Sequence, residues 1–531
     1  MKIHSLEQLE AIFRRRFDGD TITKLGEIEP PNAFLDMQKA TRKIIAAIEE
    51  GETIAIVGDY DADGVIASVI LSDFFDCIRA KHSVYLPDRF TEGYGISPDI
   101  IDRIDANLIV TVDNGIVALK AAEHAKALGK TLIITDHHTC SASLPQAFAI
   151  LNPKQPKCPS KYKEFCGAAI AWYLVASLTR AMNAHFDLNE ALALVAIAAI
   201  ADRVELKDAN RALTKAGIKR LNASAKPYAI ALRETIKAEI GCDDIAYKIA
   251  PKINAAGRIT HSRHAYNFLK AASVPEAKKL LAELDALAKQ RKTIEDGVFD
   301  EAVKQVGANG ANAIIARGVG WHEGVIGIVA ARLADRFKKP AIVISINGEN
   351  AKASARVGGE ADLAWLIEQC RDDVVSFGGH KKAAGINLLA DRIDSFANAF
   401  DAICASYDTQ KTEHSDVLGE LDPSLISSEL CDLIGRYEPF GEGNLKPVFV
   451  ACDLLVKESR AIGENGAHLH LTLKCDRAAN DLQAVWFFAT RDVVIGDRVS
   501  FYYTVLADRF NGVLRVKLKV KEMIAPKQYE T

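Results

Sequence analysis

The segment Ile54-Ala-Ile-Val-Gly-Asp59-Tyr-Asp61-Ala-Asp63-Gly64 sets carboxylates at alternate positions directly after an apolar run. A buried parallel strand would release its chain here, and in open α/β sheets the crevice beyond the strand ends is the usual ligand site. Like charges packed there are costly without a cation, and hard divalent cations favour oxygen ligands. A solvated acidic turn capping a helix from Val65 to Asp73 fits the segment equally when it is taken alone.

Two further apolar runs end in the same way. Leu108-Ile-Val-Thr-Val-Asp113-Asn-Gly115 and Thr131-Leu-Ile-Ile-Thr-Asp136-His137-His138 each read as a short β-branched strand terminating in an acid. Neighbouring parallel strands present their C-terminal tips along one edge, so acids far apart in sequence converge in space. Asp202 follows the apolar run Ala191 to Ala201, where an ordinary helix terminus fits as well. Several aspartates with one or two neutral histidines make a mixed oxygen and nitrogen donor set, suited to Mn²⁺ or Mg²⁺ rather than to thiolate-bound zinc. A pair of such ions activates water and binds phosphate oxygens, so the expected reaction is phosphoester hydrolysis.

The Asp-Tyr-Asp-Ala-Asp-Gly, Val-Asp-Asn-Gly, Asp-His-His and Ala-Asp elements, in this order, resemble the DHH phosphoesterase superfamily. With the downstream motifs described below, nearly the whole chain resembles the RecJ family of single-strand-specific 5′→3′ DNA exonucleases. The resemblance implies a two-ion centre held by Asp61, Asp63, Asp113, His137 and Asp202, with Asp113 bridging. It also implies a catalytic pair, His138 against the scissile phosphate with Asp136 beside it, and Asp59 as a neighbouring group.

Pattern shifts divide the chain. Residues 1–215 alternate apolar runs with helical segments, as a doubly wound parallel-sheet catalytic domain does. Residues 216–310 read as a helical connector whose long helix begins near Ser273-Val-Pro275 and runs towards Val306. Residues 311–410 form a second, smaller α/β pattern, with Ala313–Ala316 and Pro340–Ser345 as candidate strands and Trp321-His322 in a loop entering a helix. In residues 411–531 the shorter alternating runs 468–473, 484–488, 498–503 and 513–520 suit an OB-type β-barrel.

The second α/β region carries Gly378-Gly379-His380-Lys381-Lys382. Glycines admit a phosphate close to the backbone while His and Lys donate to it, although a Gly-Gly turn beside solvated lysines is an equally simple reading of the segment alone. The resemblance assigns it to the DHH-associated domain as a nucleic-acid contact. It also implies that Arg89, Arg258, Ser354 and Arg356 line the substrate path and anchor a 5′-phosphate, a task suited to the planar guanidinium fork. Two residues depart from the family pattern: Lys252 where an arginine is expected, and Val357 where a serine is common. Trp321 and His322 fit either base stacking or packing. The barrel region interleaves Trp486, Phe487, Phe488, Tyr502 and Tyr503 with Lys and Arg, the composition of a single-strand stacking groove and equally of a barrel core.

At 531 residues the chain is too long for one core. A basic leader and a membrane-length apolar run are both missing from the pattern, so a cytoplasmic protein without membrane contact is expected. The ten cysteines are scattered without a Cys-x-x-Cys pair, which implies free thiols rather than a disulfide framework. Net charge is −4, so nucleic-acid binding requires a local basic channel rather than a basic chain. The expected function is a two-metal exonuclease on single-stranded DNA in recombination and repair, working with a single-strand-binding protein and a helicase. The alternatives are a DHH phosphatase or phosphodiesterase on small nucleotides, and a noncatalytic single-strand-binding scaffold.

Overall fold

The computed structural model describes residues 1–16, 22, 24–306, 312–358, 361–406, 417–463, 466–475, 480–489, 491–510 and 513–524. The chain forms two compact units. One comprises Glu29–Asp202 with Ala216–Glu413; the other comprises Met1–Ile28, Arg203–Lys215 and His414–Thr531. The short N-terminal strand β1 (Lys2–Ile3) belongs to the latter.

The larger unit is built on β2 (Ile54–Val57), β3 (His82–Tyr85), β4 (Leu108–Val112), β5 (Thr131–Thr135) and β6 (Ala149–Leu151). They form an all-parallel sheet in the order β3-β2-β4-β5-β6. Strands β2 and β4 are buried at every residue, which explains their unbroken apolar sequences: both faces are covered, so no alternation is needed. From β2 the chain moves outward to β3, then returns to the other side as β4. This reversal opens a crevice beyond the ends of β2 and β4, where the acids follow.

Helices Ala62–Cys77, Gly167–Ala181 and Leu188–Ala201 pack in this domain. The third is buried continuously from Ala191 to Ala199, so it is apolar all round rather than on one stripe. The connector ends in the helix Val274–Gln305, capped by Ser273 with Pro275 in its first turn.

A second sheet in the same unit contains β7 (Ile314–Val319), β8 (Ala341–Asn347), β9 (Asn350–Arg356), β10 (Ser376–His380) and β11 (Ala383–Leu389). Its order is β10-β11-β9-β8-β7, with only the β7–β8 pair parallel. Ile342, Ile344, Leu366, Phe396 and Phe400 are core residues of this layer. The C-terminal turn of the helix Ala250–Ile259 fits closely on two sides. A Cβ on Gly257 would lie 2.2 Å from the carbonyl oxygen of Tyr60, and one on Gly324 would lie 2.0 Å from that of Arg258.

In the other unit, β13 (Val448–Ile462), β14 (His468–Lys474), β15 (Leu482–Trp486), β16 (Arg498–Phe510) and β17 (Val513–Ile524) run in the order β13-β14-β15-β17-β16. Pairing of β13 with β16 closes the barrel, which removes the free strand edges. Strand β12 (Val417–Leu421) extends it in parallel with β13, and β1 in turn pairs with β12. Leu469, Leu471 and Leu473 alternate inward on β14.

All ten cysteines are free thiols. Among the described residues no helix is long and apolar enough to cross a membrane.

The close fit at Gly257 gives a paired prediction. Gly257→Ala lowers stability by about 1–3 kcal/mol through overpacking. Gly297→Ala, at an exposed helical position where an added methyl meets nothing within 4 Å, raises it by up to about 1 kcal/mol. Thermal melts of the two variants should move in opposite directions.

Candidate metal centre

Each acid is delivered by the end of an element. Asp61 caps the helix Ala62–Cys77, its Oδ1 accepting the N–H groups of Asp63 and Gly64 at 3.0 and 3.1 Å. The capping reading of the sequence thus holds, and the cap leaves the carboxylate within reach of Asp59 and Asp113. Asp63 receives the N–H groups of Gly167 and Ala168 at the start of the next helix, an N-terminus that favours negative charge. Asp113 follows β4 in the left-handed region at φ 65°, which Asp tolerates better than most residues. Asp202 closes the helix Leu188–Ala201.

These groups meet. Donor atoms of Asp59, Asp61 and Asp113 lie within 4.8 Å of one another, as do those of Asp63, His137 and Asp202, and those of Asp113, His137 and His138. His137 Nε2 is 3.1 Å from Asp113 Oδ1, 3.6 Å from Asp202 and 3.8 Å from Asp63. Asp113 and His137 thus stand where the groups overlap. Asp59, expected only as a neighbour, is brought into the cluster as closely as Asp61.

Burial, reinforced by Asp61, pushes Asp59 well above the usual carboxylate range; burial and then Asp63 do the same to Asp113 and Asp202. Asp63 is pushed up to about 7 by burial and then Asp61. Burial, followed by the charge of His138, lowers His137 to about 3, so its imidazole is neutral. A neutral ring has a lone pair to offer a cation, and Nε2 is the nitrogen that faces the carboxylate oxygens.

That arrangement fits cations. Asp59 Oδ1 and Asp113 Oδ1 are fully buried without a hydrogen-bond partner among the described residues, and a buried acceptor left unmet is costly. Hard oxygens with one imidazole nitrogen are the donor set of Mn²⁺ or Mg²⁺. Glycines make room for the packing: a Cβ on Gly64 would lie 2.6 Å from Asp59 Cβ, and one on Gly167 would lie 2.5 Å from Asp113 Cβ.

Asp136 holds the neighbouring loop. Its Oδ1 accepts the N–H groups of His137 and His138 and lies 2.7 Å from His138 Nδ1, while Oδ2 accepts from Ile116. Burial works against charge on His138, yet Asp136 outweighs it and raises the imidazole to about 9.

The basic residues gather on the adjoining side of the same unit. Arg258 is lowered to about 10, first by burial and then by the charge of Arg89, with Arg356 also acting on it. Arg89 lies over the Tyr60 ring at 4.9 Å. Arg356 reaches Ser354 Oγ at 3.0 Å, beside Gly327. Gly378, Gly379 and His380 lie on edge strand β10 rather than in a turn, because Gly378 and Gly379 pair with Gly385 and Ala384 of β11. Burial lowers His380, followed by the charges of Arg356 and His138, which puts this strand within electrostatic reach of both groups of residues.

Lys252 turns to Asp285 of the connector helix at 2.6 Å, so its ammonium is spent on bracing. Trp321 packs in the core and donates to Glu301. His322 caps the helix Glu323–Phe337 through Gly324 N–H, edge-on to Phe90.

Several contributors escaped the sequence reading. Asn114 is fully buried and donates to the carbonyls of Val57 and Val112, stapling the ends of β2 and β4. Asn254 accepts the Ala62 N–H, and the Tyr94 hydroxyl donates to the Asp113 carbonyl beside His138. Lys154 acts electrostatically on His137, Asp202 and His380. All except Lys154 lie in motifs whose charged members drew the attention. In the barrel unit, Trp486 and Tyr503 are core residues, whereas Phe488 is 75% exposed, edge-on to His468, with Lys519 over the neighbouring Phe487 ring.

The DHH family N-terminal domain matches residues 53–200, the DHHA1 domain matches 310–406 and the RecJ OB domain matches 418–522. The chain is 31% identical to the single-stranded-DNA-specific exonuclease RecJ of Escherichia coli over 86% of each chain. It belongs to the RecJ family. The RecJ protein of Bacillus subtilis is 33% identical over 94% of this chain and 65% of its own length. The crystal structure of RecJ from Thermus thermophilus in complex with Mn²⁺ superposes with a TM-score of 0.81, at 26% identity, over 93% of this chain and 72% of that one. The same protein in complex with Mg²⁺ gives 0.78 at 25% identity, over 98% of this chain and 75% of that one. Both family structures thus carry the class of ion that the donor set here favours.

Removing one buried carboxylate relieves repulsion, and if Asp113 is the shared ligand that the family resemblance implies, it also removes a donor to the ions. Asp113→Asn, which keeps the left-handed backbone accessible, should melt higher than the parent in chelator. It should also lose most of the stabilisation that the parent gains from Mn²⁺, about 2.7 kcal/mol at a hundredfold excess over Kd. Melting curves with and without Mn²⁺ check both signs.

Proposed function

We propose that the chain is a single-strand-specific 5′→3′ DNA exonuclease that releases 5′-mononucleotides in recombination and repair. The observation that carries this reading is the adjacency, in a RecJ-family chain, of a buried carboxylate and imidazole cluster to half-buried arginines. One site is chemically fitted to divalent ions, the other to a phosphate.

Arg89, Arg258 and Arg356 with Ser354 hold the 5′-terminal phosphate, and Gly378, Gly379 and His380 guide the backbone behind it. Asp61, Asp63, Asp113, His137 and Asp202, joined by Asp59, hold two Mn²⁺ or Mg²⁺ ions, which supply Lewis acidity and offset charge on the phosphate oxygens. Hydrolysis adds water across the bond between phosphorus and the 3′-oxygen of the first nucleotide. The nucleotide leaves with a 3′-hydroxyl, and the shortened strand keeps a new 5′-phosphate for the same arginines. His138, positioned by Asp136 and Tyr94, touches the scissile phosphate.

The barrel adds a length-dependent grip. Phe488 and Phe487 offer stacking faces beside Lys519, a combination that holds single strands with little regard for sequence. The four-part division 1–215, 216–310, 311–410 and 411–531 assigns catalysis, connection, backbone guidance and strand binding in that order, except that Met1–Ile28 and Arg203–Lys215 go with the barrel unit. A cytoplasmic location fits the role, with a single-strand-binding protein and a helicase supplying the substrate. A small-nucleotide phosphodiesterase would have no use for the barrel.

End-labelled single-stranded and duplex DNA, with and without a 5′-phosphate, incubated with Mn²⁺, Mg²⁺ or chelator, tests the reading. Mononucleotide release from the 5′ end of single strands, abolished by chelator, is expected; degradation from the 3′ end alone would refute the polarity. Arg356→Ala should reduce the preference for a 5′-phosphate by about tenfold or more in kcat/KM, the effect of one charged hydrogen bond. Phe488→Ala should weaken binding of long strands by about 1–3 kcal/mol while leaving cleavage of very short oligonucleotides unchanged.

A further inference from the structure

The helices Ala62–Cys77 and Leu188–Ala201 carry metal-centre acids at one end only: Asp61 and Asp63 open the first, and Asp202 closes the second. Their opposite ends border a cleft of about 430 Å³. About 15 Å of helix axis separates Asp63 from Asp73 at its rim, so the cleft lies apart from the catalytic residues.

Ile70, Phe186, Ala191 and Leu194 give the cleft apolar walls, and Tyr228 lines it from the first turn of the helix Pro227–Ile236. Tyr228 is only 3% exposed, and its hydroxyl has no hydrogen-bond partner among the described residues. Unlike the fully buried Tyr173 hydroxyl, its oxygen keeps access to the cleft, where the polar edge of a ligand can meet it. The volume lies within the range of small-molecule sites, which are mostly apolar with a few placed polar groups.

Charge at the rim selects the ligand class. Asp73, Asp76, Asp187 and Glu190 line it, against Lys226. Asp73 and Glu190 are engaged, by Lys270 and by Arg220 with Ser224 respectively. Asp76 and Asp187 also have cationic neighbours, Lys270 and Arg220, yet their side chains are 58% and 57% exposed. Each carboxylate has about four lone-pair positions, so acceptor capacity remains. Four carboxylates thus face three cationic side chains, Lys226, Lys270 and Arg220, which leaves the rim with an excess of negative charge that favours a cation over an anion.

We propose that this cleft is a second binding site, for a small molecule with an apolar body and a protonated amine. The body fills the space between Phe186, Ala191 and Leu194, a polar edge takes the Tyr228 hydroxyl, and the ammonium sits at the Asp76 and Asp187 rim.

Calorimetric titration of the full chain with 2-phenylethylammonium, 2-phenylethanol and 3-phenylpropionate tests the site. The ammonium should bind about tenfold more tightly than the alcohol, the effect of one charge-assisted hydrogen bond, and the carboxylate should bind most weakly. Ala191→Phe should abolish binding of all three. The double substitution Asp76→Asn with Asp187→Asn, at exposed positions and with Asn retained as a helix cap, should erase the preference for the ammonium while sparing the alcohol. Equal affinity for the three probes, no binding at millimolar concentration, or a preference that survives the double substitution would overturn the proposal.

Discussion

Mutual repulsion among buried carboxylates is the constraint around which the larger unit is arranged. Asp59, Asp63 and Asp113 are almost wholly buried, Asp59 within reach of Asp113, and Asp63 and Asp113 each within reach of His137, whose imidazole is neutral. Peptide N–H groups at helix starts offset part of that cost at Asp61 and Asp63. Among the described residues no hydrogen bond reaches Asp59 Oδ1 or Asp113 Oδ1. The fold stores an electrostatic deficit that divalent cations fill, so ion binding and local stability are two aspects of one equilibrium.

The surrounding structure keeps that deficit from relaxing. Asn114 ties β2 to β4 at the strand reversal, and glycines at positions 64 and 167 let helix starts approach the acids too closely for a side chain. Gly257 and Gly324 fix the helix bearing Arg258 between the Tyr60 loop and the second sheet domain. The acidic cluster and the arginines are thereby held side by side, and on the proposed reading one continuous polyanion engages both. On that reading, selection for strand terminus and selection for chemistry reside in neighbouring but separate sets of side chains.

Much of this was legible from the sequence because strand-end acids announce themselves. Periodicity located β2, β4 and β5, and the acids after them were chosen for what they could ligate. The parallel sheet, the second α/β layer and the closed barrel also followed from run length and alternation. Contributions made by neutral groups were harder to read. Asn114 and Asn254 act through a carboxamide bonded to main chain, and Gly167 acts by having no side chain; only the spatial approach of another element reveals either. Asp59 was the doubtful acid because alternation says nothing about which of three neighbours a turn will bury. The glycines of β10 suggested a turn, yet pairing with β11 draws them into an edge strand. Among the barrel aromatics, sequence could not separate the inward Trp486 and Tyr503 from the outward Phe488, since a one-residue change of phase reverses the assignment.

The account turns on two ions sharing one carboxylate. Electron paramagnetic resonance of the Mn²⁺-saturated protein, combined with metal analysis, measures that directly. Two Mn²⁺ per chain with a spin-coupled dinuclear signal are expected, giving way to an uncoupled signal in Asp113→Asn. A single isolated Mn²⁺ per chain in the unaltered protein, or coupling that persists without Asp113, would contradict it.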